Sequence, residues 1–490
     1  VNAANDRLDR KVLGGAATML AARYAGTLSA IAATAVMARF VTPEEYGLVA
    51  SAIATLAIAR ALEEVGLGDV VIQRKDISDE QCSALFWINL AAGAIFAAAF
   101  AAASPLVAAF FGQPELTWIF AAMSLTFLLG ALGGQHRALL RRSLRFKQLA
   151  VAQASAVATG STIGVLLAVA GAGPWAIVGQ NLGGSATLVV GSWIASGWRP
   201  GRPRRVDGLR SMLRFGGLVA ASNLVGSMTR NVDSILIGKF VGIASLGAYD
   251  RAFQLMALPG SQFNFPFNSA AVPALSRLQH DPEGFRRLYL RLCGVIAAIG
   301  FPIAVFTAAA APAIVFTLLG PEWGETVTLL RLLAPCGLML SLNPAIGWSY
   351  LPLGRPGRLF RWTVIATVVV IVAMVAGLPW GAAGVAIGLS SARLALRIPA
   401  LLHAYSGTFL RIRDLTRVTW PPALAASLAG VVAFLVDPAG QAAPVRLVVQ
   451  GGCFVACYLA AYRLLPGGHA RHTAIRRVLR GDAASTEEDR

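Results

Sequence analysis

The residues best placed to do chemistry in this chain are charges set inside apolar runs. The stretch "MLAARYAGTLSAIAATAVMARF" (19–40) is nearly all small and aliphatic side chains, yet it carries Arg23. At a helical rise of ~1.5 Å per residue, Arg23 lies roughly 13 Å from the start of the run at Gly14. An arginine in hydrocarbon costs at least ~2.5–3.5 kcal/mol, so it needs a compensating environment. Other runs hold Arg60, Glu63 and Glu64; Arg230 and Asp233; and Arg393 and Arg397. Arg60 and Glu64 are four apart and Arg230 and Asp233 three apart, so each pair shares a helix face and can partly neutralise itself. Such a pair either tolerates burial as an intrahelical bridge or lines a polar cavity. Arg393 and Arg397 carry like charge one turn apart. They either snorkel to the inner interface or face an anion or a wet cavity. Arg23 has no carboxylate within a turn and is too deep to snorkel comfortably. It points to a polar cavity, the alternative being a hydrogen bond or ion pair with another helix. The candidate cavity set is Arg23, Arg60, Arg230, Asp233, Arg393 and Arg397.

The elements that must position these charges are membrane helices. Of the 490 residues 56% are hydrophobic and only 13% charged, about half the charged fraction of a soluble domain. Apolar runs of about twenty residues read as spans. They fall near 14–40, 46–66, 82–110, 116–135, 149–171, 174–197, 214–240, 246–270, 290–319, 326–351, 361–378, 381–404, 419–436 and 444–465. The even-numbered connections and both ends are rich in Arg and Lys, for example Arg137, Arg141, Arg142, Arg145 and Lys147, or Arg355 and Arg358. The odd-numbered ones are short and acidic or neutral ("TPEEY", "GQPE", "GPEWGE"), with Arg446 the basic exception. The positive-inside rule therefore places both termini in the cytoplasm and agrees with about fourteen spans. The first thirteen residues are polar and basic, and the run after them is too long for a cleaved signal. The net charge of +18 belongs to cytoplasmic loops. No folded domain is present to carry nucleic-acid binding.

An internal repeat divides the chain. "ARFVTPEEYGLVA" (38–50) aligns with "GKFVGIASLGAYD" (238–250), matching Arg39 to Lys239, Phe40-Val41 to Phe240-Val241 and Gly47 to Gly247. Later, "GPWAIVGQNLGG" (173–184) resembles "LPWGAAGVAIGL" (378–389). Six spans separate the copies, so the repeats are parallel and related by an axis along the membrane normal. The expected fold is an all-α polytopic membrane protein: two parallel six-helix lobes related by pseudo-two-fold symmetry, plus two C-terminal helices. The organisation reads as a cytoplasmic N-terminus (1–13), an N-lobe (14–200), a C-lobe (201–410), spans 13 and 14 (411–466) and a cytoplasmic tail (467–490).

No catalytic constellation, Walker motif, metal set or cofactor site is present in the pattern, so the chain is not expected to be an enzyme. Cys82, Cys293, Cys336, Cys453 and Cys457 lie in apolar stretches without His or carboxylate partners and read as packing. His136, His280 and His403 are isolated near span ends. Pro259, Pro266 and Pro273 recur every seven residues near span 8, and Pro335, Pro344 and Pro352 mark span 10. Each is a site for a kink beside a cavity.

"RRSLRFKQLAVAQ" after span 4, "GAGPWAIVGQNL" entering span 6, "SGWRPGRP" leaving it and "VDSILIGKFVGIASLGAYDRAFQL" across spans 7 and 8 resemble the polysaccharide-transporter branch of the multidrug/oligosaccharidyl-lipid/polysaccharide exporter superfamily. These are the Wzx-like O-antigen and exopolysaccharide flippases. The resemblance covers roughly residues 10–410. It implies two lobes in a V, alternately open to each side of the bacterial inner membrane. It implies a polyprenyl-diphosphate-linked glycan as cargo, in lipopolysaccharide or exopolysaccharide synthesis, with polymerase and export proteins of the same pathway as further partners beside the lipid bilayer. No motif of that family transfers residue by residue, so the candidate arginines stand on their own chemistry. A multidrug or cation exporter of the same superfamily and a non-transporting scaffold of an assembly complex are the alternatives. The first would want an unpaired acid in its N-terminal lobe, where span 1 offers Arg23 and no Asp or Glu. The second gives no reason for buried arginines.

Overall fold

The structure is a computed structural model describing residues 26–63, 71, 77–203, 227, 230–438 and 440–465. Among these residues helices are joined by short turns, and there is no strand. The helices are α1 (Gly26–Met37), α2 (Pro43–Glu63), α3 (Asp79–Ala102), α4 (Ser104–Phe111), α5 (Leu116–Arg142), α6 (Phe146–Val169), α7 (Trp175–Ser196), α8 (230–240) and α9 (Ile243–Arg277). They continue with α10 (Pro282–Ala309), α11 (Ala311–Leu318), α12 (Gly324–Ser341), α13 (Asn343–Trp348), α14 (Pro356–Gly377), α15 (Gly381–Ala395), α16 (Arg397–Tyr405), α17 (Ile412–Leu435) and α18 (Ala443–Leu464). Eight helical segments of the described residues are long and apolar enough to cross a membrane. Of the sequence readings, Arg23, Glu64 and both polar ends of the chain lie outside the described residues.

Local sequence fixes where the helices start. Thr42 caps α2: Glu45 N donates to its Oγ1 at 3.3 Å, and Thr42 N donates back to Glu45 Oε2 at 2.7 Å. This is a capping box with proline in the first helical position. Ser78 and Gln81 form the same box at α3, and Asp281 caps α10 through Gly284 N at 3.0 Å.

Two runs expected as single spans are each broken near the same place. The run 82–110 becomes α3 and α4, divided at Ala103, and the run 290–319 becomes α10 and α11, divided at Ala310. Both short outer helices have eight residues. The proline-rich α9 is helical throughout its 35 residues, so the sevenfold proline spacing leaves it in one piece. The break falls instead in span 10, where Pro344 opens α13 after α12 ends at Ser341.

The molecule has two compact units, residues 1–247 with Leu318–Glu322, and Ala248–Thr317 with Trp323–Arg490. In the first, α6 and α7 approach so closely that a Cβ on Gly160 would lie 2.7 Å from the Gln180 carbonyl oxygen. In the second, α14 and α15 do the same: a Cβ on Gly388 would lie 2.3 Å from the Ala373 carbonyl oxygen. Small residues replace the hydrophobic effect as the driving force for helix contact in lipid. α17 packs on α10 through Ala425, Ala426, Ala429 and Ala433, all fully buried, while α18 leaves Val448 and Leu464 exposed. Arg446, the one basic residue on the acidic side of the charge pattern, grips Asp437 in a fork, Nε to Oδ1 at 2.8 Å and Nη2 to Oδ2 at 2.5 Å. The exception carries its own counter-charge.

Candidate functional site

In the first unit Ser227 touches α2, its Oγ donating to the Ala57 carbonyl at 2.7 Å, and Asn231 Nδ2 of α8 donates to the Ser227 carbonyl at 2.8 Å. Arg60 is exposed in the last turn of α2. Arg230 and Asp233 share α8 but are not joined. Arg230 is exposed and has no hydrogen bond or ion pair among the described residues, whereas Asp233 is buried and its Oδ1 accepts from Ser234 N at 2.9 Å. The self-neutralising pair expected from the three-residue spacing is therefore absent. A partnerless guanidinium on a helix read as a span is available to an anion.

In the second unit the two like-charged arginines have different surroundings. The reason is a helix end between them: α15 stops at Ala395 and Arg397 opens α16. Arg393 is half-buried and has no partner among the described residues. Arg397 Nη2 donates to the Leu342 carbonyl at 3.3 Å, at the break between α12 and α13. Beside it Tyr289 OH donates to the Ala345 carbonyl at 3.0 Å and shares a hydrogen bond of 2.9 Å with Tyr405 OH. The carbonyls of Leu342 and Ala345, next to Pro344, thus each take a side-chain donor, and that of Leu342 also accepts from Ala345 N at 3.2 Å. Arg397 serves the backbone of the broken span.

Several basic residues that the charge pattern used only for orientation also turn out to cap helices. Arg145 Nη1 donates to the Ser196 carbonyl at 3.2 Å, at the end of α7. At the end of α16, Arg355 donates to the carbonyls of Ser406 and Gly407 at 3.0 and 2.7 Å, and Arg358 to those of Ser406 and His403 at 2.9 Å each. Cations suit helix C-termini because of the exposed carbonyls and the dipole. The Arg145–Ser196 and Arg355–Ser406 contacts are both displaced by 210 residues, close to the repeat offset, which is the signal that could have found them. Two of the histidines have side-chain partners: His136 Nδ1 meets Ser196 Oγ at 2.8 Å, and His403 Nδ1 meets Tyr350 OH at 2.6 Å, while His280 is exposed. A small groove in the second unit is lined by Met256, Phe267, Ile296, Gly300 and Ser341 among others, and by none of the candidate arginines. No group of three or more potential metal ligands occurs among the described residues.

All-helical architecture, apolar spans and charges within them define a multi-pass membrane protein. Residues 36–328 match the family described as "Polysaccharide biosynthesis protein", and the chain belongs to that family. It is 27% identical to the lipopolysaccharide biosynthesis protein WzxC of Escherichia coli over 72% of each chain. It is 25% identical to the succinoglycan biosynthesis transport protein ExoT of Rhizobium meliloti, over 68% of this chain and 67% of the other. Among solved structures, the lipid II flippase MurJ in an inward closed conformation superposes with a TM-score of 0.75 at 14% identity, covering 91% of this chain and 98% of that one. An inward-facing multidrug transporter of the MATE family gives 0.61 at 14% identity, covering 78% and 95%. The last two likenesses show the fold.

Proposed function

We propose that this chain moves a polyprenyl-diphosphate-linked oligosaccharide from the cytoplasmic to the periplasmic leaflet of a bacterial inner membrane by alternating access. The observation that carries the reading is membership of a polysaccharide biosynthesis family by a chain with this all-helical membrane fold. The physics of the cargo is consistent with it. A diphosphate and its sugar hydroxyls cannot enter hydrocarbon unaided. Cationic forks supply the bonds lost from water. In this reading Arg23, Arg230 and Arg393 face the headgroup, with Arg60 and Asp233 beside them, while the polyprenyl tail stays in lipid. Arg397 holds the break in span 10.

The test is a vesicle assay with a defined polyprenyl-diphosphate oligosaccharide on one leaflet and an impermeant oxidant of sugar diols on the other side. Protein-dependent exposure of the sugar is expected. Movement of an organic cation with none of the lipid-linked sugar would replace this reading with that of a cation exporter.

The arrangement belongs to the same proposal: about fourteen spans, two six-span lobes at 14–200 and 201–410, both termini inside, and pathway enzymes as neighbours. Topology reporters placed after Glu44, Gln113, Gly320 and Gln441 are expected to read periplasmic. Reporters after Arg142, Arg204 and Arg480 are expected to read cytoplasmic. One reversal within the first twelve spans would overturn the two-lobe arrangement.

A further inference from the structure

The repeat-matched segments 38–50 and 238–250 touch each other, and they do so reciprocally. A Cβ on Gly47 would lie 1.9 Å from the Ile243 carbonyl oxygen, and a Cβ on Gly247 would lie 1.8 Å from the Pro43 carbonyl oxygen. Shifting each residue by the repeat offset of 200 turns one contact into the other: 43 becomes 243 and 47 becomes 247. This is the signature of an isologous contact about a two-fold axis. At both points a glycine lies directly on the backbone of the first turn of the other helix, with no room for any side chain.

The basic residues of the two segments extend the same exchange. Lys239 Nζ donates to the Phe110 carbonyl and lies 4.8 Å from the centroid of the Phe110 ring, near the end of α4. The stem of Arg39 lies over the turn after α11, where a Cβ on Gly320 would be 3.3 Å from Arg39 Cδ. α4 and α11 are the two eight-residue helices broken off at matching places in the two repeats. Lys239 therefore reaches the end of α4, and Arg39 the turn that follows α11. All these residues belong to the first compact unit. They sit at the end opposite the basic loops, next to the acidic connections "TPEEY" and "GPEWGE".

We propose that this reciprocal Gly47/Gly247 crossing, flanked by Arg39 and Lys239, is a latch that closes the non-cytoplasmic end and must part once in every transport cycle. A latch of this construction suits repeated opening. Close backbone contact through glycine buries little apolar side-chain area and relies on dispersion and weak Cα–H···O contacts. The flanking cations add one hydrogen bond and one cation–π contact, both accessible to water once parted. The same construction makes closure sensitive to a single added methyl group, because the atom it would meet is backbone and cannot swing aside.

The transport arm of the test rests on the flippase reading; the labelling arm does not. In a background with the native cysteines replaced, Ser51→Cys places a thiol at a fully buried position one turn inward from Gly47. Its reaction with a membrane-impermeant maleimide from the periplasmic side is expected to be slow. With Gly47→Ala or Gly247→Ala it should rise at least tenfold, and with Lys239→Ala severalfold, at unchanged melting temperature. Gly26→Ala, whose added Cβ would find its nearest neighbour at 3.9 Å, should leave labelling unchanged. Separately, Glu44→Cys with Ala244→Cys, both at exposed positions matched by the repeat, gives a pair for a cleavable bis-thiol reagent. Linking them should stop flipping, and cleavage should restore it. Full flipping by the linked protein, or labelling of Gly47→Ala at the native rate, would overturn the latch. Should the unlinked pair fail to flip the lipid-linked sugar at all, the flippase reading fails, and the labelling rates still decide the latch.

Discussion

Arg23→Ala is expected to slow flipping about ten- to a hundredfold while the protein still inserts and keeps its melting temperature. If Arg23 holds phosphate as proposed, the magnitude is that of one charge-assisted bond, ~1.5–3 kcal/mol. Arg23→Lys should recover part of the rate, since the charge remains and the planar fork is lost. Arg23→Glu should be slower than alanine, because it sets like charge against a diphosphate. A purely structural role gives a different order: each change leaves a buried acceptor unpaired, so protein level and melting temperature fall together with the rate. Flipping rate and thermal stability of each purified variant are therefore measured side by side. Normal flipping by a stable Arg23→Ala protein would end the phosphate role of this residue and shift the weight to Arg230 and Arg393.

The helices themselves were legible because each apolar run is about as long as a bilayer is thick, and because basic residues punctuate alternate turns. Helix occupies the described part of each run. Where each run breaks was harder to read. The residues around Ala103 and Ala310 are nearly as apolar as their neighbours, and the sign of a helix end is a single proline two residues on, Pro105 and Pro312, with Pro399 three residues after Leu396. Proline was a guide only by position: α9 carries three at regular spacing and stays helical, while Pro105, Pro312, Pro344 and Pro399 each stand in the first turn of the helix that follows a break. Proline at the first positions of a helix costs nothing, and in lipid neighbouring groups re-satisfy what an internal one frees.

The charged residues were legible as unusual, and only partly as to role. Arg230 and Asp233 share a helix, but the pair does not close, because Asp233 turns to the Ser234 amide and Arg230 stays exposed. The repeat alignment named Gly47 and Gly247 from sequence, yet their contact with each other's helix start is a tertiary fact. Arg145, Arg355 and Arg358 were counted as topology markers. Their bonds to the carbonyls of Ser196, Ser406, Gly407 and His403 join loops to helix ends that lie close only in the folded chain.

Arg393 and Arg397 give the second large effect, because one turn of sequence separates two different roles. Arg397→Ala is expected to lower the melting temperature, in line with ~1.5–3 kcal/mol for a hydrogen bond from a charged donor; the Leu342 carbonyl keeps its bond from Ala345 N at 3.2 Å. The substitution removes the guanidinium from the Leu342 carbonyl beside the Tyr289–Tyr405 pair. Any loss of flipping should then follow the loss of folded protein. Arg397→Lys should recover much of the stability, since an ammonium can still donate to that carbonyl. Arg393→Ala should do the reverse: its guanidinium has no partner among the described residues, so the melting temperature should hold while flipping of a diphosphate-linked sugar falls several-fold. Thermal melts and single-turnover flipping on the three variants decide between the assignments. If Arg397→Ala is as stable as the parent and flips slowly, Arg397 faces the cargo, and the break at Leu342 is held by Tyr289 and the packing around Trp348 without it.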